Sequence, residues 1–129
     1  MKTQTLLVIT AILEILTGMG LILVPGLLIR ILLGADINDP VVFTITRVGG
    51  SAILALGFAC WQARNEPSGR GLRALVAGML VYNIAVFITL ANSALQFKTT
   101  PVLIVALIAH AFLTFFCFSS LKKGRVAAK

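Results

Sequence analysis

Four apolar stretches, each about the length of a bilayer crossing, constrain this chain more than any other feature. They run over about Thr5–Val24, Val41–Ala63, Leu72–Ser93 and Pro101–Leu121. Spanning the hydrocarbon takes about 20 apolar residues. Lipid offers no partner to a free backbone N–H or C=O, so each stretch is expected to be a helix. Composition agrees: the chain is 59% hydrophobic and 12% charged, against about 45–50% and 25% in soluble domains. A water-soluble fold of 129 residues leaves too much of its surface exposed to hide that much apolar area. The expected fold is therefore an all-α membrane protein. It forms one domain over residues 1–129, a bundle of four transmembrane helices.

The breaks between spans have local causes. Pro25-Gly26 ends the first, because proline lacks the donor that a continuing helix needs. Leu27–Asn38 is too short to cross, and it is apolar around Arg30, so it reads as a short interfacial segment after the first helix. Asp39-Pro40 suits the start of the second span and Thr100-Pro101 the start of the fourth, each a capping side chain followed by a first-turn proline. Arg64–Gly71 is a polar loop with turn residues. A cleaved signal is not expected: the first apolar stretch runs from Leu6 to Val24, carries Glu14 and has no small-residue cleavage site.

The formal net charge of +7 is distributed unevenly. One side of the four-span topology collects Lys2, Arg64, Arg70, Arg73, Lys122, Lys123, Arg125 and Lys129; the other has Arg30, Arg47 and Lys98, with Asp36 and Asp39. Basic residues mark the cytoplasmic side. The expected address is a bacterial inner membrane, multi-pass, with both termini cytoplasmic. Trp61 fits an aromatic anchor at the inner interface. The partners expected are membrane lipids, with a homo-oligomer or a larger membrane complex open, and no nucleic acid.

Helices in lipid pack closely through small residues. Ser51, Ala55 and Ala59 recur at every fourth position of the second span and make the expected packing stripe, with that helix central; Gly49, Gly50 and Gly57 lie on adjacent faces. Ionisable groups inside a bilayer cost about 2.5–3.5 kcal/mol on insertion scales and mark function or a fixed partner. Glu14 lies near the middle of the first span, with Thr10 and Thr17 at helical spacing. Asn83 lies ten residues after Arg73, roughly 15 Å in at 1.5 Å per residue. His110 lies nine residues into the fourth span. Antiparallel helices bring these three to one depth. Arg47 has a side chain long enough to snorkel outward or to reach toward Glu14; because it shares the line of Ser51 and Ala55 it is expected to point inward, where pairing with Glu14 would reduce the cost of burying either charge. Glu14, Arg47, Asn83 and His110 thus form the candidate polar cluster. Asn83 and His110 also read simply as hydrogen bonds between helices. Cys60 and Cys117 sit in apolar runs without metal-ligand spacing, so no metal or cofactor is expected.

From Arg47 to Gly57 the chain reads Arg-Val-Gly-Gly-Ser-Ala-Ile-Leu-Ala-Leu-Gly. This resembles small four-span bacterial membrane families of the DoxX-like kind, as does Pro25-Gly26-Leu27-Leu28 followed by a short apolar stretch to Gly34. The resemblance implies four helices and an inner-membrane address, with redox-partner or quinone-related roles in some relatives and no residue carried over. Ala11-Ile12-Leu13-Glu14 looks locally similar to small multidrug resistance transporters, which implies for Glu14 alone a role as the site where a proton exchanges with a cationic substrate. The second span lacks that family's Tyr and Trp pattern, and an Arg47 facing the same cavity would repel a cation.

The expected function is that of an accessory, structural or partner-binding membrane component. A proton-coupled transporter using Glu14 is the alternative. A membrane subunit of an oxidoreductase comes third, since one histidine cannot supply two axial haem ligands. No catalytic residue is indicated.

Overall fold

The computed structural model describes residues 1–126, which are mostly helical with no strand among them. Five helices follow in order: α1 (Thr3–Leu23), α2 (Pro25–Leu33), α3 (Pro40–Ala63), α4 (Arg70–Gln96) and α5 (Pro101–Val126). Four of them, α1, α3, α4 and α5, are long and apolar enough to cross a membrane. Of the basic tail, Lys129 lies outside the described residues, and for Lys123 and Arg125 only the backbone is described.

The helix boundaries follow from the residues at them. The Asp39 side chain accepts from the Val41 N–H at 2.8 Å and from Val42 at 3.4 Å, and Pro40 opens α3 where its missing N–H costs nothing. Thr100 accepts from the Leu103 N–H at 3.1 Å at the head of α5. Its hydroxyl donates to the Leu32 carbonyl at 2.8 Å, tying the end of α2 to the start of α5. Pro25 does not merely stop α1; it is the first residue of α2. Gly34, at φ 65°, ends α2 in the left-handed region that favours glycine. The short segment expected over Leu27–Asn38 is therefore a nine-residue helix that begins and ends earlier. At about 1.5 Å per residue it is too short to cross.

All four long helices meet at the end of the bundle that holds the N-terminus. Leu6, Leu7 and Ala11 of α1, Cys60 of α3, Val76 and Met79 of α4, and Leu113 and Cys117 of α5 form one buried cluster there. Elsewhere the bundle is built from two pairs, α1 on α3 and α4 on α5, with α2 lying against α1, α3 and α5. Large apolar side chains such as Leu16, Ile45, Val81, Val105 and Phe118 face outward. Lipid is the only solvent that suits such a surface.

The α1–α3 seam corrects one expectation. A Cβ added at Gly18 would lie 2.7 Å from the Gly50 carbonyl oxygen and the Leu54 nitrogen. One added at Gly57 would lie 2.9 Å from the Ile15 nitrogen. The two backbones touch through glycines, and Gly50 and Gly57, seven residues apart, stack on one line of α3. The expected stripe at Ser51, Ala55 and Ala59 lies on a different side and is exposed. Glycine permits a nearer backbone approach than alanine or serine, so α1 seats on the glycine line. Nor is α3 central: α1 is the most buried of the four spans and α3 the least. Gly78, Ala85 and Thr89, the small residues of α4, are exposed as well.

Candidate functional site: a buried carboxyl between two helix pairs

Glu14 sits at the middle of α1 and is 3% exposed. Gly57 faces its Cβ directly: a methyl there would come within 3.1 Å. The missing side chain on α3 is what leaves the carboxyl room while α1 and α3 stay in backbone contact. From α4 the Tyr82 hydroxyl donates to Glu14 Oε2 at 2.9 Å. This bond joins one helix pair to the other.

A second polar contact lies alongside. Asn83 is fully buried, and its side-chain N–H donates to the Met79 carbonyl at 2.7 Å within α4. Its carbonyl oxygen is then left to face His110 Nδ1, 2.8 Å away on α5. An amide oxygen only accepts, so the network assigns a proton to Nδ1. Nε2 is then the nitrogen free for other work. The Tyr82 and His110 rings stand edge to face with centroids 6.0 Å apart. Glu14, Tyr82, His110 and Asn83 therefore form one polar patch spanning α1, α4 and α5. A buried polar group needs its bonds satisfied internally, and these residues satisfy one another in two pairs, Glu14 with Tyr82 and Asn83 with His110.

Thr10, one turn before Glu14, is fully buried, and its hydroxyl has no hydrogen-bond partner among the described residues. Thr17, on the other side, is exposed. The polar face of α1 is thus inward only as far as Glu14.

Arg47 does not join the cluster, contrary to expectation. It is exposed and donates from Nε to the Ile22 carbonyl at 3.2 Å. Ile22 lies eight residues beyond Glu14, about 12 Å along the helix. The reason is visible in the backbone. Arg47 belongs to the line of Ser51 and Ala55, and that line faces outward. The end of α1 also leaves carbonyls without donors, and a cation there is favoured by the helix dipole. Among the described residues the ion pair is Arg30 with Asp36, 3.4 Å apart on the surface, and Glu14 has no cationic partner.

Sequence reading passes over Tyr82 as a site residue. It is the only tyrosine in the chain and is adjacent to Asn83; an unpaired midplane carboxyl needs a donor, and that adjacency is the signal. Cys60 and Cys117 are both buried and free, with Cys60 Sγ lying 3.5 Å from Met79 Sδ. No group of three His, Cys, Asp or Glu residues gathers to hold a metal among the described residues.

The architecture and the polar patch define a class, a multi-pass all-helical membrane protein with a carboxyl held between its spans. Compared with known proteins, the chain matches no family model, no curated protein and no solved structure.

Proposed function

We propose that this chain is a proton-responsive component of a bacterial inner membrane, with both termini cytoplasmic, in which Glu14 is the proton-binding group. The observation that carries the reading is a carboxyl 3% exposed within a span, bonded to Tyr82 and lacking a cationic partner among the described residues. A carboxylate without a counter-ion is costly in lipid. Gain or loss of one proton therefore changes the energy of the contact that holds the two helix pairs together. The activity such a joint serves is proton-coupled movement of a small solute between the α1–α3 pair and the α4–α5 pair. His110, whose ring stands edge to face with that of Tyr82 at 6.0 Å between centroids, is the candidate to exchange that proton through Nε2. The bias of Lys and Arg toward one side supports the orientation.

Glu14→Gln tests the reading. Trp61, the chain's only tryptophan, reports on the N-terminal end of the bundle. In reconstituted vesicles the wild-type chain is expected to show a pH-dependent change in Trp61 fluorescence and amide exchange, and the variant to lose it while still folding. Full pH dependence in Glu14→Gln would end the proposal.

The outward-facing line Ser51, Ala55 and Ala59 supports a second reading, a component that binds a partner helix there. Ala55→Cys, with the two native cysteines replaced by alanine, would cross-link to such a neighbour under mild oxidation in native membranes; an uncross-linked chain counts against it.

A further inference from the structure

At the end of the bundle that holds the N-terminus, a cleft of about 370 Å³ opens between the start of α1, the α3–α4 connection and the start of α4. Its size falls in the range of small-ligand sites, about 300–1,000 Å³. Among the lining residues Leu72 is partly exposed and Leu7 is buried. Its walls are polar, from Thr3, Gln4, Asn65 and Ser68. Those walls are fixed by bonds between distant parts of the chain. Gln4 donates to Asn65 at 3.0 Å, and Thr3 pairs with Ser120 of α5 at 2.8 Å.

Two opposite charges face this one cleft, Arg64 and Glu66. They are not an ion pair with each other; the pair found among the described residues lies elsewhere. Arg64 is held in place, its guanidinium 3.9 Å over the Trp61 ring and hydrogen-bonded to the Trp61 carbonyl. That contact leaves other guanidinium N–H groups for a ligand, since the fork carries five donors. The Glu66 backbone N–H bonds the Ala63 carbonyl at 3.1 Å, which sets the turn that carries its exposed side chain. Ser68 precedes α4, which begins without a side-chain cap, so amide donors at that helix start are free to face an anion.

We propose that this cleft binds a zwitterionic phosphoethanolamine group. The phosphate lies on Arg64 and Ser68, and the primary ammonium donates to Glu66. The glycerol end lies toward Leu72. An ammonium bearing three N–H donors satisfies a carboxylate in a way a trimethylated one cannot. An anionic headgroup without an ammonium leaves Glu66 unpaired and facing the ligand's own charge. The cleft lies where α1 and α4 begin and α3 ends, at the level where a span meets headgroups, so a membrane phospholipid is one source of this group; a water-soluble glycerophosphoester is the other. The inference stands apart from the reading of Glu14.

The test is thermal stabilisation of the full chain in detergent, titrated with phosphatidylethanolamine, phosphatidylcholine or phosphatidylglycerol. Phosphatidylethanolamine is expected to bind about tenfold more tightly than the other two, the worth of one charge-assisted hydrogen bond. Glu66→Gln, on an exposed loop, should erase the preference over phosphatidylcholine while keeping phosphate binding. Arg64→Gln should weaken all three lipids. Glycerophosphoethanolamine that competes as strongly as the lipid assigns the site to a soluble ligand; failure to compete assigns it to the membrane, and either result keeps the chemistry. Equal binding of the three lipids by the wild-type chain, an unchanged preference in Glu66→Gln, or undiminished binding in Arg64→Gln overturns the proposal.

Discussion

The two sides of α3 carry small residues in nearly equal measure, yet they do opposite things. Gly50 and Gly57 meet the backbone of α1 so closely that no side chain fits. Ser51, Ala55 and Ala59 stay exposed. The difference teaches that in lipid it is distance of approach, not hydrophobicity, that selects the buried face. Both sides are equally at home in hydrocarbon. Only the glycine side lets two helix backbones come into contact and gain the dispersion energy of dense packing. The same choice decides where the charges go. Glu14 stands opposite Gly57 and is enclosed; Arg47 stands on the line of Ser51 and is left outside.

The strongest way to break that contrast is to fill the glycine side. Gly57→Val would place methyl groups against the Ile15 backbone and the Glu14 Cβ, neither of which is a flexible end that can swing away. A cost of about 3 kcal/mol or more is expected, at the upper end of overpacking. The melting temperature in detergent should fall further than for substitution of Glu14, Tyr82, Arg47 or Ala55. Survival of the fold at an unchanged melting temperature would mean that α1 and α3 do not touch as described.

Next comes the bond between helix pairs. Tyr82→Phe and Glu14→Gln, singly and together, form a double-mutant cycle. A coupling of about 0.6–1.7 kcal/mol is expected, the range for hydrogen bonds between membrane helices. Additivity of the two substitutions would sever Tyr82 from Glu14. Arg47→Met should cost less, about 0.5 kcal/mol, because it removes one exposed donor at a helix end. A cost as large as that of the Gly57 change would place Arg47 inside the bundle after all.

Much of this architecture is legible in the chain itself. Length and composition dictate four spans, and Asp39-Pro40 and Thr100-Pro101 announce two helix starts that the structure caps as described. Counting residues along antiparallel helices also puts Glu14, Asn83 and His110 at one depth, because rise per residue is fixed. Which face of each helix turns inward is not legible. A spanning helix is apolar all round, so the 3.6-residue contrast that betrays the core face of a soluble helix is absent. Spacing alone makes the line of Arg47, Ser51 and Ala55 as good a candidate as Gly50 and Gly57. Tyr82 is hidden for the same reason, since its partner choice depends on which way α4 is rotated. The α3–α4 cleft depends on where a loop folds back, which local residue chemistry does not fix.

The smallest expected effect is the sharpest comparison. Ala55→Leu adds as many carbons as Gly57→Val, two residues away on the same helix, yet on the outward side. In a chain that stands alone in lipid the melting temperature should hardly move, within about 0.5 kcal/mol, as for surface changes generally. Leucine is also as good a helix former as this position needs, so propensity will not mask the result. The pair of substitutions thus holds helix, depth and chemistry nearly constant and varies only the face. If Ala55→Leu is silent in detergent but destabilising in native membranes, the outward line is covered there by another helix. If it is as damaging in detergent as Gly57→Val, the two faces of α3 have been assigned the wrong way round, and the enclosure of Glu14 falls with that assignment.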